Sequence, residues 1–412
     1  MDEQTEIVIA GGGLVGNALA IALAQGGVGV TVVDPLPREQ QVATAFDGRT
    51  SAISQGSVRI LTGIGVWPLI APHAQPIHDI RVCEEEKSGF VHYSDQEVGE
   101  PFGYIVENGI IRRALFEVLN AEKNIDLRSP DSVTGFTRGE ASITAELGSG
   151  AKITAPLLIA ADGRMSGLRN IAGISHRVME YGQTAIVCVI EHALPHHGLA
   201  LEKFYPAGPF ALLPLLDTVD GVYRSGVVWT ESTEDAPHYV ALDEAGFNAE
   251  LQRRVGDPAE CVWGAVKIKG KRWSYPLKLM HAEQFIEERF ALVGDSAHGI
   301  HPIAGQGVNL GYRDVAVLAE LILDQRKLGL DIGSASLLER YQRWRRFDSM
   351  SMTASTDILN RLFMSNLPGM SLARRAGMSA VNRMPGLKRH LMRHAMGLIG
   401  DLPRLMQPPK VA

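Results

Sequence analysis

The chain is poor in cysteine, has no long apolar run and carries no excess of positive charge. Its three cysteines, Cys83, Cys188 and Cys261, stand far apart with no CxxC pair. That excludes a readable disulfide framework or zinc site, and the thiols are expected to be buried in a reducing compartment. Uncharged stretches such as residues 7–33 are broken by glycine, Asn17 and Gln25, so none reads as the roughly 18 predominantly apolar residues of a membrane span. A net charge of −6 argues against a generally basic nucleic-acid binder. The acidic start, MDEQTEIVIAGGG, enters an apolar strand at once, unlike a signal peptide. These absences point to a cytoplasmic globular protein, and 412 residues with 45% apolar content suffice for two or three packed units.

What is present begins at residues 6–34, EIVIAGGGLVGNALAIALAQGGVGVTVVD. Ile7 to Ile9 predicts a short buried strand. Gly11, Gly13 and Gly16 fit G-x-G-x-x-G, and Leu14, Val15, Ala18, Leu19, Ala22 and Leu23 recur at helical spacing. A second strand, Val28 to Val33, ends in Asp34. Gly11 permits the tight turn, Gly13 lets backbone approach a pyrophosphate, and Gly16 lets helix pack on strand. The helix N-terminus then offers free N–H groups and a positive dipole end. Asp34 is placed to accept hydrogen bonds from an adenosine ribose, and its charge would repel a 2′-phosphate. The in-register set predicts a dinucleotide site; a glycine turn between ordinary α/β elements is the plainer alternative.

Two further strands end the same way. LLIAADGRMSGLR at 157–169 ends in Asp162-Gly163, with Ser166 and Arg169 following, and FALVGD at 290–295 ends in Gly294-Asp295. Three such ends predict one sheet that delivers carboxylates to its C-terminal edge, where open α/β sheets bind ligands.

The set GGGLVG, AADGRMS and LVGDSAHGIHPIAGQGVNLGYRD resembles the FAD-dependent aromatic hydroxylases typified by p-hydroxybenzoate hydroxylase, over most of the first 350 residues. DGRTSAIS at 47–54 and HPIAGQGVNLGYRD at 301–314 are similar to the ubiquinone-biosynthesis hydroxylases, the family of 2-octaprenyl-6-methoxyphenol hydroxylase and its paralogues. The resemblance implies an α/β fold with a discontinuous Rossmann-like FAD-binding domain (1–75, 105–180, 283–350). Into it is inserted a mainly antiparallel β substrate domain (76–104, 181–282), with a helical, basic, Met-rich segment (351–412) at the end. It implies bound FAD and NAD(P)H as transient reductant, since no second GxGxxG is present. The reaction implied is hydroxylation of a polyprenylated phenol with O2 through a C4a-hydroperoxyflavin. A soluble aromatic substrate, or a non-catalytic flavin-bearing subunit of a lipid-bound assembly, stand as alternatives.

The same resemblance suggests residue roles. Gly294 and Asp295 would meet the ribityl chain. Gly305 and Gly307 would let backbone lie against the flat ring, where a Cβ would clash. The N–H groups near Val308, at the start of a helix, would face the N1/C2=O edge that becomes negative on reduction. Pro302 would rigidify this loop, and Asn309 would touch the pyrimidine side. His301, Pro302 and Gly305 form the candidate catalytic loop, with the base unassigned; His298 and His301 fit either an orienting hydrogen-bonder or a base. Arg49 would stand near the flavin and its phosphates. Arg112, with Leu115 and Leu119, follows the pattern of a helix under the pyrophosphate, Arg113 being the adjacent alternative. Asp162 would organise the flavin and arginine network.

Strand-like runs between 181 and 280 predict a sheet that roofs the flavin, with part of 76–106 joining it and FALLPL (210–215) facing the ring. Tyr205, Phe210, Tyr223 and Trp229 either line a pocket or form sheet core. From Asn366 onward there are eight Lys/Arg against one acid, Asp401, and residues 364–412 hold seven of the 13 methionines. Two readings stand for this tail: a docked helical hairpin, or a basic surface touching anionic lipid on the inner face of a membrane or a partner enzyme.

Overall fold

A computed structural model describes residues 3–43, 48–84, 90–299, 305, 307–364 and 381–408. Its centre is a six-stranded sheet in the order Ile286–Glu287, Phe290–Leu292, Leu157–Ala160, Ile7–Ala10, Val30–Val33, Ile125–Arg128. All neighbours run parallel except the first pair. The four central strands are uninterrupted apolar runs with every residue buried, apart from a buried Thr31, as strands covered on both faces must be. One cover is helical: Leu14–Gln25 packs between Asn108–Ala121 and Gly307–Lys327. The other is a four-stranded sheet of Glu3–Gln4, Lys152–Ala155, Ile143–Leu147 and Val133–Arg138, whose Phe136 stacks on Phe290 at 5.2 Å. Because Ala10 pairs with both Val33 and Ala160, and Ala160 with Leu292, the strands finish on one edge. Asp34, Asp162 and Asp295 follow within three residues of it.

An eight-stranded sheet lies beyond that edge, in the order His298–Gly299, Val266–Ala282, His176–His192, Tyr223–Ser232, Gly208–Leu215, Leu199–Tyr205, Asp79–Glu84, Phe90–Ser94. It is antiparallel except where Leu199–Tyr205 meets Asp79–Glu84. Its residues alternate between two faces. Leu201, Phe210, Leu212, Val227 and Trp229 pack on Phe247, Leu251 and Val255 of the helix Glu244–Val255. Arg254 completes that face, with its guanidinium 3.8 Å from the Trp229 ring centroid and 2.7 Å from Glu231. Phe210 and Trp229 are therefore sheet core, and the Tyr205 hydroxyl donates to the Arg254 carbonyl on the same side. Tyr223 stacks on His192 at the sheet's end.

A small sheet of Thr50–Ser54, Gly103–Glu107 and Gln75–Pro76 stands between the two large ones, so only part of 76–106 joins the roof. The long helix Ala335–Met364 docks on Gly307–Lys327, and the Tyr341 hydroxyl donates to the Leu292 carbonyl at 2.8 Å. Beyond it, the helix Pro385–Ala395 and the residues after it return to the body. Met392, Met396 and Met406 are buried, and Gly56 N–H donates to the Met396 carbonyl at 2.9 Å. Among the described residues, no helix is long and apolar enough to cross a membrane.

Candidate active site

The glycine loop has the shape its spacing requires. Gly11 sits at φ +111°, and a Cβ there would stand 2.3 Å from the Ala161 carbonyl oxygen. A Cβ on Gly16 would stand 1.9 Å from the Gly11 oxygen, so this close approach of helix and turn admits glycine alone. At Gly13 the same position opens onto empty space, at the head of the helix Leu14–Gln25. No side chain caps that helix and no acid stands in its first turn. Its first N–H groups and dipole are thus available to an anion. Asp34 is buried. It accepts from Gly12 N–H at 2.6 Å and from Leu36 N–H at 2.8 Å, so it also shapes the loop, a task its position in sequence did not reveal.

The other two acids stand beside a built network. Asp162 accepts from Leu168 N–H at 3.3 Å, and Ser166 caps the next short helix through Arg169 N–H at 3.0 Å. The Arg169 guanidinium is buried and donates to the Ser296 carbonyl at 3.0 Å, tying this turn to the one after Phe290–Leu292. Gly294 takes φ +63°, and half-exposed Asp295 lies 3.5 Å from Arg164.

Behind these turns lies a hub that sequence reading missed. Asp314 accepts from Gly294 N–H at 2.8 Å, His298 Nε2 at 2.8 Å and Arg345 Nε at 2.6 Å. Burial alone would raise its carboxyl; His298 and Arg345 pull it below the ordinary carboxylate value. Asp348 is likewise brought down to about 2 against burial, by Arg345 and Arg313. His298 is fully buried and held by Asp314, which makes it an orienting group and not a base facing substrate. The quoted motif ended in this aspartate and contains Gly294 and His298, but Arg345 is on another helix.

His301 and Pro302 lie outside the described residues. Gly305 takes φ +61°, and a Cβ there would come within 2.8 Å of Ala52 Cβ. At Gly307, the start of its helix and one residue before the expected Val308, a Cβ would meet no atom of the described residues within 4 Å. Asn309 is buried. It accepts from Ser54 N–H at 2.9 Å and donates to the carbonyls of Ala52 and Gly305 at 2.8 and 3.2 Å. Its amide thus binds the loop to the strand Thr50–Ser54. Arg49 precedes that strand, with its guanidinium 5.3 Å from the Tyr275 ring centroid. Its carbonyl accepts from Asn108 N–H at 3.0 Å, at the head of the helix that carries Arg112 and Arg113. Both arginines are half-buried, while Leu115 and Leu119 are buried behind them.

Between this strand and the roof is a cavity of about 190 Å³. Its walls are Ala52, Ile53 and Gly305 on one side and Ala200, Ala211, Leu213 and Val228 of the roof on the other, with Ala395 and Met396 at its rim. It is lined mainly by apolar atoms. The four aromatics considered for a pocket do not line it. FALLPL contributes Ala211 and Leu213, while Phe210 and Leu212 point to the other face.

Residues 4–356 match the family model described as an FAD binding domain. The chain is 45% identical over 409 residues to ubiquinone hydroxylase UbiL of Rhodospirillum rubrum, covering 98% of this chain and 93% of that one. It is 36% identical over 405 residues to the 3-demethoxyubiquinol 3-hydroxylase of Escherichia coli, covering 96% and 100%. This chain belongs to the FAD-dependent aromatic hydroxylases. Among solved structures it shares the fold of p-nitrophenol 4-monooxygenase PnpA from Pseudomonas putida, with a TM-score of 0.77 at 21% identity over 97% and 99% of the two chains.

The residues of this hydroxylase fit FAD. Open space at Gly13 and Gly307, each at a helix head, makes two cradles that a side chain would fill, one suited to a pyrophosphate and one to a flat ring. Against the expectation of three buried thiols, Cys83 and Cys261 are half-buried. Cys188 is buried and its thiol is pushed up to about 12 by desolvation, which leaves it inert.

Proposed function

We propose that this monooxygenase hydroxylates the aromatic ring of a polyprenylated phenol in ubiquinone biosynthesis, with NAD(P)H as transient reductant. The observation that carries the reading is the apolar cavity that reaches Gly305, in a chain so similar to two hydroxylases with ubiquinone or a ubiquinol in their names. An apolar cavity of roughly 150 Å³ holds a benzene ring. About 190 Å³ therefore admits one substituted ring and sends a prenyl chain out past the rim at Ala395 and Met396.

FAD, when bound, supplies the activation of O2 and the oxygen atom that is transferred. The chain's own part is to bind, orient and exclude water. Gly11, Gly13, Gly16 and Asp34 would hold the adenosine and pyrophosphate, with Arg49 and Arg112 beside the phosphates. Asp162, Gly294 and Asp295 would hold the ribityl side, and His301, Pro302, Gly305, Gly307, Val308 and Asn309 the ring. Residues 1–75, 105–180 and 283–350 would form the FAD-binding unit, with 76–104 and 181–282 as the substrate unit.

The rim helix suggests how the substrate arrives. Met384, Leu387 and Leu391 follow one another at helical spacing and are exposed, among Arg383, Arg389 and Arg393. An apolar stripe flanked by cations suits an anionic membrane surface. The buried methionines of the same segment face inward, so docked and surface-active faces coexist on one helix.

The test is turnover. Purified holoenzyme, NAD(P)H, O2 and a short-chain prenylphenol should yield a product heavier by one oxygen in mass spectrometry, with matched O2 uptake. Disruption of the gene should make cells accumulate a prenylphenol lacking one hydroxyl. Oxidation of a soluble phenol alone would instead favour the soluble-substrate alternative, and no turnover with full FAD would favour a non-catalytic subunit.

A further inference from the structure

The cavity face of the roof is built from apolar residues with two exceptions, Glu202 and Thr230. Along one row across the sheet, Val82 pairs with Glu202, Glu202 with Ala211, and Ala211 with Val228. Neighbouring positions on the same face are Ile80, Ala200 and Leu213. Strand alternation demands an apolar side chain at position 202, between Ala200 and Phe204. A glutamate stands there instead. It is the only ionisable residue among the described lining of the cavity, and among the described residues no hydrogen bond or ion pair holds its carboxylate.

Its neighbour shows what a structural charge looks like on this strand. Lys203 points to the opposite face and donates to the carbonyls of Arg254 and Val255 at 2.8 and 3.2 Å. Half-buried Glu202 has no such anchor, although shielding an unpaired carboxylate from water is unfavourable for folding. A second polar group in the same cavity is in the same state. Thr230 is 2% exposed, lines the cavity, and its Oγ1 has no partner. A carboxylate and a hydroxyl without described partners in an apolar chamber are two groups placed to contact a polar ligand.

We propose that Glu202 is the general base that takes the phenol proton of the substrate, and that Thr230 hydrogen-bonds a second oxygen on the same ring. This rests on the phenol-hydroxylation reading above. In the step, the phenol O–H bond breaks, its electron pair stays on the ring oxygen, and the proton goes to a Glu202 carboxylate oxygen. The ring carbon ortho or para to that oxygen gains electron density and takes up one oxygen atom of O2; the O–O bond breaks and the other atom leaves as water, with the two electrons that NAD(P)H would supply through bound FAD. The hydrogen on that carbon then leaves as a proton to water, and Glu202 returns its own proton to the ring oxygen.

The electrostatics suit the task. Desolvation raises the Glu202 carboxyl to about 7, where a base is half in its active form near neutral pH. The charged groups around it are few. Glu84 lies two residues beyond Val82 on the adjacent strand, and Lys203 is turned to the other face. Thr50–Ser54 contributes no ionisable group, and the rim helix brings His394 one residue before Ala395.

The test uses the FAD-loaded enzyme with a short-chain prenylphenol. Glu202→Gln should keep FAD content and the anaerobic rate of flavin reduction, while kcat for product falls by about 100-fold or more. Glu202→Asp should recover part of the loss, and Thr230→Val should raise KM more than it lowers kcat. In the wild type, kcat should rise with pH through about 7, and this limb should vanish in Glu202→Gln. A Glu202→Gln enzyme within about threefold of wild-type turnover overturns the proposal, as does a wild-type profile flat from about pH 6 to about pH 8. Should the variant fail to fold, the wild-type profile still decides. A wild type that does not hydroxylate the phenol overturns the functional reading and this proposal with it, which is a different result from an active wild type with an active variant.

Discussion

The two large sheets of this hydroxylase bury their strands by different rules. In the six-stranded parallel sheet each central strand is four residues or fewer, is buried on both faces and delivers its chemistry where it ends. In the eight-stranded roof the strands reach 17 residues, and every second side chain belongs to a different environment. One face is a closed core around Trp229 and Phe247; the other is a chamber of small residues with Glu202 and Thr230 in it. A strand buried on both faces can place function only at its end, where backbone N–H groups and loop carboxylates are free. A strand with one open face can place it anywhere along its length.

Substitutions should separate the two, and the largest effect is expected in the parallel sheet. Gly16→Val places a side chain where even a Cβ meets the Gly11 oxygen at 1.9 Å. It should abolish FAD retention, read as loss of the visible flavin spectrum in purified protein. Asp314→Asn leaves Arg345 and His298 without their shared carboxylate and should cost about 3–5 kcal/mol in urea unfolding. The wild type carries a matching pH signature. The folded-state value of Asp348 is depressed to about 2 against an unfolded value near 3.9, so its contribution is complete above about pH 4 and lost as pH falls towards about 2. Acid unfolding followed by circular dichroism should steepen in that window, and the steepening should weaken in Asp348→Asn.

Phe247→Ala sharpens the comparison from the roof side. Phe247 is fully buried against Trp229 at 5.4 Å between ring centroids, with the Arg272 guanidinium 4.0 Å from its own ring. The cost should be about 3–5 kcal/mol with FAD affinity preserved, because the lost contacts are on the face away from the cavity. Equal loss of FAD affinity would mean that the two sheets are not separable in this way. The smallest effect is expected at the rim. Leu391→Glu should lower co-sedimentation with anionic vesicles several-fold and leave turnover of a detergent-dispersed substrate unchanged.

The comparison also explains what could be read in advance. The glycine loop and the strand-end positions of Asp34, Asp162 and Asp295 were legible because each sits within a few residues of a strand end, so local spacing encodes it. The hub was not. Asp314 meets Arg345 31 residues later on a different helix, and Arg313 meets Asp348 35 residues later. Nothing in the local pattern distinguishes those arginines from solvated ones. Asn309 was expected against the cofactor, and local spacing did not show that its amide also joins Ser54 and Ala52, more than 250 residues away, to Gly305 on its own turn. The tail's methionines divide by side: Met392, Met396 and Met406 are core, while Met384 is exposed.

By itself the sequence determined the dinucleotide loop, the parallel strands with acids at their ends, and the family of hydroxylases to which the chain belongs. These follow from short-range geometry: a turn that only glycine can make, a strand of unbroken apolar residues, a helix head next to both. Only the tertiary structure decided which roof residues see the cavity, which histidine is held by a buried aspartate, and that the Glu202 carboxylate faces an apolar chamber with no partner among the described residues. Alternation along a strand says that two faces exist, but not which one is covered. That choice is made by packing between segments far apart in the chain, which no local pattern records.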